Sequence, residues 1–86
     1  MSSDFIPAIP GRTHVFDARG VARRFRHAAI FGALRSLLPG EAMRFVNDHD
    51  PLPLLNELED HFGERLHVVY HRRAVGDVVI DLSVRD

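Results

Sequence analysis

Eighty-six residues, 45% of them hydrophobic, suffice for one small domain around a single core and leave no length for a second. Cysteine is absent, which excludes disulfides, thiolate metal sites and a thiol nucleophile, and suits a reducing cytoplasm. Eleven arginines and no lysine stand against twelve acids, a net charge of −1 that excludes the basic footprint of a DNA-binding protein, and no apolar run reaches the length of a membrane span or a signal core.

Residues 1–11, punctuated by Pro7 and Pro10, show no sustained period and are expected to form a flexible leader, so that the domain occupies residues 12–86. Thr13 to Ala18 reads as a first strand, with β-favouring Val15 and Phe16 and a stop at Gly20. The chain then changes to helical period. His27, Ile30, Phe31, Leu34, Leu37 and Leu38 form one stripe, and Pro39-Gly40 ends it. "EAMRFVN" is a second strand and "DPLPLLNELEDHFG" a second helix, with Leu54, Leu55, Leu58 and Phe62 inward and Glu57, Glu59, Asp60 and Glu64 outward. In that helix Asp50 is the expected N-cap and Pro51 the first helical residue.

Two alternating runs close the chain. Leu66, Val68 and Tyr70 oppose His67, Val69 and His71, and Val78, Ile80, Leu82 and Val84 oppose Asp77, Val79, Asp81 and Ser83, joined by a Gly-Asp turn. The order β-α-β-α-β-β predicts an α+β fold, a two-layer sandwich with a mixed four-stranded sheet. Right-handed crossovers put both helices on one face. The expected strand order is 1-2-4-3 with the first two strands parallel.

Parallel neighbours end on the same sheet edge, and open sheets bind ligands at the loops that follow. The first such loop and the helix start after it offer Asp17, Arg19, Arg23, Arg24, Arg26 and His27; the second offers Asn47, Asp48, His49 and Asp50. Part of this is explained by structure alone, since Asp50 and Pro51 suit a cap and Asn47 or Asp48 an Asx-turn. A cap has no use for His49, and arginines crowded at a helix start call for acids, such as Asp48 and Asp50, or for an anion. The other histidines, His14, His61, His67 and His71, read as surface residues.

"FDARG", "PGE" and above all "NDHDPLPLL", Asn47 to Leu55, make the chain resemble the TusA/SirA-like superfamily, within it the uncharacterised branch known as domain of unknown function 2249, over Val15 to Arg85. The resemblance implies the same β-α-β-α-β-β fold. Sulfur-carrier members have a Cys-Pro pair where this chain has Arg23 and Arg24, and a guanidinium cannot hold sulfane sulfur, so cysteine-based sulfur transfer is excluded. Relatives in the uncharacterised branch have a histidine at the position of His27, and association with hemerythrin-like or other redox domains implies a protein partner of that kind.

Three functions compete at this stage. The first is a small non-catalytic binding module whose His/Asp/Arg edge contacts a partner protein, a small anion or a metal; His27, His49 and Asp48 or Asp50 match a two-imidazole, one-carboxylate set for iron or copper, with haem as a variant. Arg19, Arg23, Arg24 and Asn47 are the anion or partner contacts. The second is a small enzyme with His49 as general base, Asp48 orienting it and Arg19 or Arg23 clamping an anion. The third is RNA binding on the open sheet face, for which the pattern offers no stacking aromatic. The sequence leaves the oligomeric state open.

Overall fold

The structure, a computed structural model, describes residues 11–85. The leader expected over residues 1–11 therefore lies, apart from Gly11, outside the described residues. The elements follow the predicted order: β1 (Thr13–Asp17), α1 (Arg23–Ser36), β2 (Ala42–Asn47), α2 (Leu52–Phe62), β3 (Leu66–Ala74) and β4 (Asp77–Val84), with a 3-10 turn at Gly63–Arg65 before β3. They build one mixed sheet in the order β1-β2-β4-β3, in which β1 and β2 are parallel and the other pairs antiparallel. Fold class, strand order and the parallel first pair agree with the sequence expectation.

Register explains the core. Phe16 lies beside Phe45, Met43 beside Leu82, Phe45 beside Ile80, and Val68 beside Leu82, so the large apolar side chains of all four strands share one face. Ile30 and Leu34 of α1 and Leu58 and Phe62 of α2 join the same cluster, which places both helices on that face. Residues of the two central strands are the most deeply covered, because edge strands have a neighbour on one side only. Phe45, Ile80 and Leu82 are fully buried.

The opposite face is not uniformly wet. Val79 and Arg44 are 5% and 8% exposed. Arg44 is held by Asp81 on the neighbouring strand through Nε to Oδ1 at 2.8 Å and a second nitrogen to Oδ2 at 2.9 Å, and His71 Nε2 meets Asp81 Oδ2 at 2.8 Å. Burial pushes the Asp81 carboxyl up, but these hydrogen bonds outweigh it and hold the group below its usual range.

Three local expectations need correction. Helix α1 ends at Ser36, whose Oγ donates to the Gly32 carbonyl, and Leu37 is already extended, so Leu38 falls beyond the helical stripe and is 67% exposed. The β3-β4 turn consists of Val75 and Gly76 rather than Gly-Asp, because Asp77 already pairs with Ala74; Gly76 takes the positive φ, +79°, that the turn demands. A bulge at His71 shifts the ladder, so Tyr70 faces Ile80 whereas Arg72 faces Val79.

Candidate functional site

The parallel ladder carries β1 and β2 to a common end, where Ala18 N donates to the Val46 carbonyl at 2.8 Å. The two loops are therefore neighbours, as predicted. In the first, Arg19 folds back on Asp17: its backbone N–H donates to Oδ1 at 3.0 Å, its Nε to Oδ1 at 2.9 Å and a terminal nitrogen to Oδ2 at 2.7 Å. The side-chain and then the backbone hydrogen bonds from Arg19 bring the Asp17 carboxyl down to about 2. Arg19, considered an anion clamp from sequence, is thus engaged by its own loop.

In the second loop Asn47 is structural. It is 2% exposed and its Nδ2 donates to the His49 carbonyl at 3.1 Å, closing the turn after β2. Asp48 Oδ1 lies 2.7 Å from His49 Nδ1, and that hydrogen bond holds the Asp48 carboxyl below its ordinary value. Asp50 is not the helix cap. The cap position falls on Pro51 without any side-chain hydrogen bond, while Asp50 Oδ1 accepts from the Tyr70 hydroxyl and Oδ2 from Arg73 Nε, both at 2.7 Å. Two charge-assisted bonds in a half-buried setting outcompete a solvent-exposed cap. With Pro51 as the cap, the proline inside the first turn is Pro53.

Helix α1 begins without a side-chain cap or an acid in its first turn. Its Arg23, Arg26 and His27 form one wall of a cleft of about 370 Å³, facing His49 and, on α2, Pro53, Leu54 and Glu57. This volume is near the lower end for small-molecule sites. His27 Nε2 meets Glu57 Oε2 at 3.2 Å, and its ring stacks on Phe31 with centroids 4.7 Å apart. Glu57, assigned from sequence to the wet face of α2, is therefore a cleft residue. Arg24 lies over the Phe25 ring at 4.7 Å and does not line the cleft.

The guanidinium groups at this end are not all directly engaged. Asp17 is paired with Arg19, Asp48 with His49, Asp50 with Arg73 and Glu57 with His27. Neither the Arg23 nor the Arg26 guanidinium has an ion pair or hydrogen bond with a described residue, although Arg26 feels Asp48 at longer range. The sequence expectation that Asp48 and Asp50 answer these arginines by direct pairing fails, because His49, Tyr70 and Arg73 take them first.

His27 and His49 do come together on one cleft, from stretches remote in the chain. The metal centre envisaged for them with Asp48 or Asp50, with iron, copper or haem as guest, is not supported by the donor arrangement. Among the described residues no three His, Asp or Glu side chains are grouped to hold an ion. Tyr70 and Arg73, which tie the second loop to β3, escaped the sequence reading. The available signal was Tyr70 itself, on the inward register of its strand with a hydroxyl that requires a partner.

A small two-layer α+β domain with a basic cleft beside the carboxyl ends of its parallel strands is the class that fold and site define. No helix among the described residues is long and apolar enough to cross a membrane. The chain belongs to the family described as uncharacterized conserved protein, DUF2249, which it matches over residues 15–84. No curated protein and no solved structure matches it.

Proposed function

We propose that this protein is a small binding module, not an enzyme, whose cleft between α1 and α2 receives an anionic group. One observation carries the reading: each acid at this end of the sheet is matched by a basic side chain, whereas Arg23 and Arg26 on the cleft wall are not matched by any described residue. Guanidinium forks suit carboxylate and phosphate oxygens, and the uncapped start of α1 adds backbone N–H groups and a favourable dipole nearby. The Pro53 and Leu54 side supplies apolar walls that lower the local dielectric. The element order supports setting the family beside the TusA/SirA-like superfamily, and the absence of cysteine suits a role in the reducing cytoplasm.

A second reading has one feature in its favour, the 2.7 Å contact between Asp48 and His49 Nδ1, which leaves Nε2 available as a general base. Both side chains are about 60% exposed, at 62% and 60%, and water competes with any such chemistry. The open sheet face presents valines, the Arg44–Asp81 pair and the imidazoles of His67 and His71, without a Phe or Tyr ring among its described residues, so RNA stacking has less support.

Titration with inorganic phosphate and with glutarate, followed by NMR of arginine Nε and histidine ring signals, tests the proposal. Shifts at Arg23, Arg26, His27 and His49 are expected, with affinity falling about tenfold in R23Q/R26Q and on raising salt. Neither probe moving these signals would overturn it.

A further inference from the structure

His49 belongs to two clefts. Besides the arginine-lined one, it borders a second of about 300 Å³ on the other side of the loop, formed by the loop itself and by Arg73, Ala74, Val75 and Val78 of the β3-β4 hairpin. The chemistry of the two differs. Arg23 and Arg26 give the first two guanidinium groups without a direct partner among the described residues, whereas the charged groups of the second are already engaged: Arg73 with Asp50, and Asp48 with His49. What the second cleft leaves on offer is aliphatic. Val75, at the hairpin tip, is completely exposed at 105%.

Guanidinium groups without a direct partner next to a cleft of mostly apolar lining suit a chain segment that carries both kinds of side chain more than a small solute. Two clefts of different character that share the His49 side chain also exceed what a single small anion occupies. We propose that the occupant is an extended segment of a partner protein lying across His49, with an acidic side chain at Arg23 and Arg26 and an aliphatic side chain against Val75 and Ala74. Polarity is built in, since the one guanidinium of the second cleft, Arg73, is already held by Asp50 and offers an incoming acid no free partner. The inference rests on the anion-binding reading of the first cleft and names the bearer of that anion.

The test uses three probes on the full chain: a short synthetic peptide with paired glutamates followed by paired leucines, the same peptide with serines for the leucines, and inorganic phosphate. The leucine peptide should bind about tenfold more tightly than the serine peptide. Val75→Ser should abolish that difference without changing phosphate binding, and its exposed turn position keeps folding out of the result. Equal affinity of the two peptides, or indifference to V75S, overturns the segment while phosphate binding still supports the anion cleft. Loss of all three probes, or binding unaffected by R23Q/R26Q, overturns both.

Discussion

Tyr70 donates its hydroxyl proton to Asp50 at 2.7 Å, and so the loop that follows β2 is latched to the middle of β3, two strands away in the sheet. Arg73 completes the latch from the same strand, with its guanidinium 4.5 Å above the Tyr70 ring. Burial first, and then the neighbouring Asp50 carboxylate, raise the Tyr70 phenol above its ordinary range, so it remains a donor throughout the physiological interval. Tyr70→Phe removes one of two bonds to Asp50 and should cost about 1–2 kcal/mol in urea denaturation. Asp50→Ala should cost more, because it also strips Arg73 of its carboxylate. If Y70F is as stable as the parent, the latch has no energetic weight.

Asp17 makes the clearest pH prediction. Its folded carboxyl titrates at about 2, against an ordinary value of 3.8. A depressed acid contributes stability that is complete above the unfolded value and fades as pH falls through the folded one. The Asp17 contribution should therefore be constant above the range of 3.8 and disappear towards 2. Carboxyl carbon chemical shifts measure the midpoint directly. Arg19→Gln should bring it back towards the ordinary value, and an unchanged midpoint in that variant would assign the effect to something other than Arg19.

On the open sheet face, Arg44 and Asp81 form a bidentate pair with side-chain exposures of 9% and 18%. Replacing Asp81 by alanine leaves a nearly buried guanidinium without that carboxylate, and a loss of about 2–3 kcal/mol is expected, less than for a wholly buried pair because water still reaches Asp81. The double variant R44M/D81L should recover much of it, since valines already surround the pair on this face. Denaturant midpoints of the parent and the two variants decide the matter; a double variant no more stable than D81A would contradict it.

The end of α1 separates two leucine-like positions that sequence period treats alike. Ile30 is fully buried and Leu38 is 67% exposed. Ile30→Ala should cost about 2–4 kcal/mol through lost burial and the cavity left behind. Leu38→Ala should stay within about 0.5 kcal/mol. Equal effects would place Leu38 back in the core.

Much of the site followed from topology alone. The parallel pairing of the first two strands was legible because a helix between two strands permits it and a hairpin does not, and that pairing is what brings His27 and His49 to one cleft. The partners of the side chains were not legible. Asp50-Pro51 has the pattern of a cap, yet the carboxylate turns to Tyr70 and Arg73, 20 and 23 residues away. Glu57 has the pattern of an outer helix residue, yet it bridges to His27 across the cleft.

The bulge at His71 shows why. Strict alternation from Tyr70 would send Arg72 to the helix-covered face and Arg73 to the open one. The extra residue reverses them, so that Arg72 pairs with Asp77 on the open face while Arg73 reaches Asp50 on the other. Element order, inward faces and the adjacency of the two loops come from short-range pattern, because alternation and helical period are properties of consecutive residues. Which acids are answered, and hence that Arg23 and Arg26 face the cleft unmatched, was decided only in the folded sheet, where a one-residue slip of register changes which long side chains can touch.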